Sequence, residues 1–139
     1  MTRPPVGPAH LGAVAAGGAV GALLRSGLGE VVPDGDGFPW TTFAVNVVGA
    51  LLLALLPALP VLTTRPLLVL ALGPGVLGGF TTLSAYADQS RALLASGETA
   101  VAAAYVVGTL AACLAAVHLA HRVTSADQRR VFEVEEGNE

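Results

Sequence analysis

The chain has 139 residues, of which 53% are hydrophobic and 12% charged, with 17 glycines, no lysine and a formal net charge of -3. A soluble domain carries about 25% charged residues, so this composition argues against a water-soluble globule, and the negative balance with scattered arginines excludes a nucleic-acid partner. The length allows at most one domain, and the lone cysteine, Cys113, excludes an internal disulfide framework and a multi-cysteine zinc site.

The charges cut the chain into four long neutral stretches: 21 residues between Arg3 and Arg25, 28 between Asp36 and Arg65, 22 between Arg65 and Asp88, and 23 between Glu98 and Arg122. A helix needs about 20 apolar residues to cross the hydrocarbon layer. The runs are rich in alanine and leucine and lack the alternation of strands. They predict an all-α integral membrane protein with four transmembrane helices, over 9–28, 40–59, 67–94 with an interruption, and 99–123. Arg3 followed by the apolar run 11–24 also resembles a secretory signal; a retained helix is preferred, because cleavage would discard the motif around Arg25.

Pro33, Asp34, Gly35, Asp36 and Gly37 supply turn chemistry between the first two helices. The segment 60–66 is a short link, and Ser96-Gly97-Glu98 reads as a break before a new helix. A transmembrane domain over 1–123 is therefore expected to precede a polar, mobile tail over 124–139. Arg3, Arg65, Arg122, Arg129 and Arg130 fall on one side, against Arg25 and Arg91 on the other, which favours both termini in the cytoplasm.

Membrane helices are held by close packing and buried polar contacts. Gly17 and Gly21 in helix 1, with Gly18 and Ala22 at the same interval, and Ala104, Gly108, Ala112 and Ala116 in helix 4 read as helix–helix contact stripes, with surface to spare for a second subunit. One residue on in helix 4, Tyr105, Thr109 and Cys113 share a face and suggest a polar track rather than three hydroxyls tied to their own backbone. Thr42 and Asn46 lie one turn apart in helix 2. An unpaired amide in hydrocarbon costs a few kcal/mol, so Asn46 must face another helix or a wet cavity.

The third span carries the sharpest signal. Gly73, Pro74, Gly75, Gly78 and Gly79 weaken the helix near its middle, and Thr81, Thr82 and Ser84 follow at once. Non-helical backbone at membrane depth is tolerated only inside protein or beside a water-filled cavity, and a broken helix frees carbonyls for a hard cation and N–H groups for an anion. An ion-binding break is expected there, in preference to a simple proline kink.

Three segments, 18–25 (GAVGALLR), 41–49 (TTFAVNVVG) and 75–84 (GVLGGFTTLS), resemble the Fluc/CrcB family of fluoride ion channels. The likeness covers all four helices in order. It implies a multi-pass protein of the cell membrane, an antiparallel dimer of four-helix subunits, and two narrow pores that pass fluoride passively out of the cytoplasm. It further implies a structural Na⁺ at the dimer centre, held by the backbone carbonyls of Gly78 and Thr81. Asn46 and Thr42, then Thr82, Leu83, Ser84 and Tyr86, and the track Tyr105, Thr109 and Cys113 would line the pore. Arg25 corresponds to the family's arginine near the membrane end. Replacing the water around fluoride calls for amide and hydroxyl donors and aromatic ring edges rather than a trapping charge.

The family normally places phenylalanines at Leu83 and Tyr86, and many members have a glutamate at Gln89, where this chain has Asp88 adjacent. A homodimer would lack one phenyl contact in each pore. The expectation is therefore a homodimer or, given the arginine bias, a heterodimer with a related paralogue that supplies the missing rings. A non-conducting assembly subunit is the alternative. A small multidrug exporter would need an acidic residue within helix 1, and none occurs between 1 and 28. No enzyme is expected: His10, His118 and His121 have no partners at ligand spacing, and Ser84 has no base within local reach.

Overall fold

The computed structural model describes residues 7–136, with side chains described from 7 to 124 apart from residue 63; Arg3 and the end of the tail at 137–139 lie outside the described residues. Helix α1 covers Pro8–Val31. Helix α2 covers Trp40–Leu55 and tightens into a 3₁₀ turn over Leu56–Ala58, where Pro57 stops it. A short α3 (Pro60–Thr63) fills the link. The third span runs from α4 (Pro66–Leu70) through a π-helical stretch (Ala71–Leu77) to α5 (Gly78–Phe80), and resumes as α6 (Leu83–Ala95). Helix α7 covers Thr99–Glu136.

Four stretches, Pro8–Val31, Trp40–Ala58, Pro66–Ala95 and Thr99–Thr124, are long and apolar enough to cross a membrane. Leu11, Leu23, Val107, Leu110 and Leu114 are exposed on their outer faces, which costs nothing against lipid tails. The sequence reading ended the last helix at 123, whereas α7 continues to Glu136. Beyond Gly108 it contains no glycine or proline to stop it.

α1 lies against the glycine-rich half of the third span. A Cβ at Gly17 would strike the Ala71 carbonyl, one at Gly21 the Val76 carbonyl, and one at Gly79 the Gly18 carbonyl. These glycines let two backbones touch, the contact expected of the helix 1 stripe. The helix 4 stripe behaves differently: nothing lies within 4 Å of a Cβ built at Gly108. α7 instead turns Ala102, Tyr105, Thr109 and Ala120 inward, and it packs along α2.

The third span bends, and the bend falls later than the glycines. Around Pro74, which can neither donate to residue 70 nor fit the ordinary turn, the helix widens to π geometry and continues. Helical dihedrals are lost halfway along the 30-residue span, at Thr81 (φ -73, ψ 159) and Thr82 (φ -146, ψ 118). Thr82 then caps α6, its Oγ1 accepting from the Ala85 N–H at 3.1 Å. The α6–α7 turn closes on Gly97 at φ 85, with the Glu98 N–H reaching back to the Leu93 carbonyl at 2.9 Å.

Candidate functional site

The bend is held by α2. Asn46 Oδ1 accepts from the Thr82 N–H at 2.8 Å, and Asn46 Nδ2 donates to the Thr82 carbonyl at 3.1 Å. The side-chain amide thus takes over both main-chain groups of a residue that has left the helix. An amide nitrogen carries two hydrogens, so one N–H of Asn46 remains. Thr81 bends back within its own turn, its N–H and its Oγ1 each donating to the Leu77 carbonyl at 3.0 Å.

This rearrangement strips two carbonyls of their helical donors. The amide that would serve Gly78 is that of Thr82, engaged by Asn46; the amide that would serve Thr81 is that of Ala85, engaged by Thr82 Oγ1. Carbonyl oxygens in this condition are the donor type that hard cations take, so the two residues assigned to sodium by resemblance fit that chemistry.

A cavity of about 310 Å³ lies beside the bend, lined by Asn46, Thr81, Thr82, Leu83, Tyr86, Thr109, Leu110 and Cys113. Six of the nine residues expected to line a pore meet here. The Thr109 side chain is 4% exposed, and its hydroxyl oxygen has no hydrogen-bond partner, an uncommon condition for a buried polar atom. The Tyr86 hydroxyl donates to the Val106 carbonyl at 2.9 Å, which fixes its ring at the cavity. Leu83 is 78% exposed, so the cavity opens onto the outer surface of the subunit at that side chain. Ser84, also exposed, lies 3.2 Å from Thr82 Oγ1 through its own hydroxyl.

Thr42 and Tyr105 stand apart in a second cluster. Asp34, in the loop before α2, accepts from the Thr41 N–H at 2.7 Å, the Thr42 N–H at 3.2 Å and the Thr42 hydroxyl at 2.7 Å. Gln89 Nε2 donates to Asp34 and to Thr42 Oγ1, both at 3.0 Å, while Gln89 Oε1 accepts from the Tyr105 hydroxyl at 2.8 Å. Tyr105 is fully buried, with Phe38 edge-on at 5.3 Å and Tyr86 tilted against it at 5.2 Å. Burial alone would push the Asp34 carboxyl up; the Thr42 hydroxyl, the amides of Thr41 and Thr42, and Gln89 outweigh it and hold the carboxyl below its ordinary value.

The sequence marks Asp34 only as a turn residue, not as a member of the site. Adjacency pointed to Asp88 as the carboxylate near Gln89, but Asp88 faces outward and pairs with Arg91 at 2.9 Å. The available signal was a loop aspartate just ahead of a helix start, in a register too early for an ordinary cap. Arg25 projects from within α1, donating from Nε to the Gly79 carbonyl at 3.4 Å. It shares with Asp34, Thr42, Thr82 and Gln89 a vestibule of about 340 Å³.

Residues 12–121 match the family described as CrcB-like protein, Camphor Resistance (CrcB). Over 119 residues the chain is 44% identical to the fluoride-specific ion channel FluC 2 of Nocardia farcinica, covering 84% of this chain and 85% of the relative. It is 43% identical over 118 residues to the fluoride-specific ion channel FluC of Thermus thermophilus, covering 81% and 93%. Against FluC 1 of Streptomyces coelicolor the identity is 45% over 112 residues, covering 77% and 71%. Matched across its four membrane spans and the bend between them, the chain belongs to the CrcB/FluC family of membrane channel proteins, which are not enzymes.

Proposed function

We propose that the chain is a fluoride channel subunit that lowers cytoplasmic fluoride by passive export. The observation that carries this reading is the cavity at the bend, lined in an apolar surround by Asn46, Tyr86 and Thr109, whose buried hydroxyl has no hydrogen-bond partner. Fluoride is an acceptor with a tight hydration shell, and a pore replaces that shell with fixed donors. Asn46 offers its remaining N–H, Thr109 its hydroxyl hydrogen and Tyr86 a ring edge. None carries a full positive charge, so the ion is stabilised without being trapped.

The cavity is open at Leu83, so a second subunit completes it. The antiparallel arrangement and the dimer follow from family resemblance, and the open face of α7 at Gly108 gives a second copy room to approach. The carbonyls of Gly78 and Thr81 would hold the structural Na⁺, which when bound supplies a fixed positive charge joining the two subunits at the bends. The leucine at position 83 favours a heterodimer, in which a paralogue with two phenylalanines after the same bend contributes the ring that this chain lacks.

Fluoride efflux from sodium-loaded proteoliposomes tests this. The chain together with its paralogue is expected to release fluoride, and the chain alone to release little. Absence of efflux from both preparations would overturn the fluoride reading. Full efflux from the single chain would leave that reading standing and defeat the heterodimer.

A further inference from the structure

We infer that Asp34 is a positioning residue for conduction: it supplies the one negative charge of the Thr42–Gln89–Tyr105 chain and turns every donor in that chain toward itself. The inference rests on the fluoride reading for its functional consequence, but its structural core stands on the hydrogen bonds alone. The Tyr105 hydroxyl donates to Gln89, Gln89 donates to Thr42 and Asp34, and Thr42 donates to Asp34. The direction is forced, because an ionised carboxylate only accepts.

Gln89 must accept from Tyr105 at one atom and donate to Asp34 at the other, which an amide does and an ionised glutamate does not. Positions 34 and 89 thus form a pair that admits a single charge. Of two carboxyls at hydrogen-bond distance, one has its pKa strongly raised, and ionising both costs stability. Asp34 and Gln89 also separate the Arg25 vestibule from an outer cavity of about 490 Å³ lined with Asp36 and Glu98. An anion approaching this junction from the cavity at the bend meets spent donors and a negative charge. Asp34 therefore closes this end of the polar track, and the anion is left to Arg25, which among the described residues has no carboxylate within ion-pair distance. The charged and titratable groups around the junction are Arg25 from α1, Asp36 from the loop, Tyr86 from α6, Tyr105 from α7 and Glu98 ahead of α7.

The test compares wild type, Gln89→Glu and the exchange Asp34→Asn/Gln89→Glu, reading fluoride efflux with the paralogue present, and thermal unfolding of the chain itself, from about pH 5 to about pH 8. In Gln89→Glu the introduced carboxyl is raised by its neighbour, so stability and efflux are full at the acid end and fall as pH rises. The exchanged pair again holds one charge and one amide, and its profile returns to the flat wild-type form. A flat profile in Gln89→Glu, or a slope that persists in the exchanged pair, overturns the inference. If Gln89→Glu fails to fold, recovery of folding by the exchange supports the pairing and continued failure refutes it. If nothing conducts, the unfolding profiles still decide the pairing, and the fluoride reading alone falls.

Discussion

The Asn46 carboxamide bonds both the N–H and the carbonyl of Thr82, at 2.8 and 3.1 Å, across 36 positions of sequence. A helix that bends in an apolar medium exposes main-chain groups that nothing else can satisfy. Here one side chain on α2 satisfies a matched pair, while the amides that would serve the Gly78 and Thr81 carbonyls in a continuous helix are engaged elsewhere. The side chain that stabilises the bend is thus also the amide that faces the cavity. On the fluoride reading proposed above, one residue would then serve both structure and conduction.

Asn46→Ala leaves a half-buried donor and a half-buried acceptor of Thr82 unmatched, each costing up to about 1–3 kcal/mol, the range for fully buried groups. The variant is expected to unfold at markedly lower temperature in detergent and to lose fluoride efflux. Asn46→Asp, which accepts from the Thr82 N–H but cannot donate to its carbonyl, is expected to recover part of the stability while its charge still blocks the anion. Thermal unfolding alongside efflux separates the two effects.

Much of this arrangement was legible in the sequence. The four spans follow from where charges are absent; helical spacing joined Thr109 to Cys113, and the resemblance to the family implied that Asn46, Thr82, Leu83 and Tyr86 would meet them, as they do in one cavity. The position of the bend was not legible. Glycine and proline at 73–79 mark a weak helix, but the π turns absorb Pro74, and Gly75 and Gly79 are required by the backbone of α1, a contact of long range. Asp34 was hidden for the same reason: its partner Gln89 is 55 residues away, and no local pattern joins a loop aspartate to a glutamine on α6.

Glycine-to-alanine changes separate close backbone contact from open surface. Gly17→Ala, Gly21→Ala and Gly79→Ala each place a methyl group on a facing carbonyl, forcing α1 away from the third span. Overpacking of this kind costs about 1–3 kcal/mol. Gly108→Ala meets open space, and the gain in helix propensity, about 1 kcal/mol, is expected to keep or raise the stability of the subunit. Melting temperatures of the four variants in one detergent check the contrast.

Asp34 sets an acid limit. Its carboxyl lies below its ordinary value when folded, so the stability it contributes is present above the unfolded pKa and is lost as pH falls through the lower folded one. Asp34→Asn has no such group to protonate. Its stability is expected to be lower than wild type at neutral pH, with the difference shrinking as the medium is acidified below about pH 4. Unfolding curves across that range test the sign: a gap that widens toward acid would contradict the hydrogen-bonded carboxylate.

The two departures from the family's phenylalanines should behave in opposite ways. The Tyr86 hydroxyl donates to a main-chain carbonyl on α7, so Tyr86→Phe removes one neutral hydrogen bond, worth about 0.5–1.5 kcal/mol, and keeps the ring. Stability should fall slightly and efflux with the paralogue should persist, whereas Tyr86→Leu should lose efflux. Leu83 is 78% exposed in the single subunit, so Leu83→Phe adds a ring with little effect on subunit stability. If an aromatic edge is what this chain lacks, Leu83→Phe alone in liposomes should gain the efflux that wild type shows only with its partner. A ring at position 83 that changes nothing would mean that the leucine is tolerated in the pore, and that the need for a paralogue has another cause.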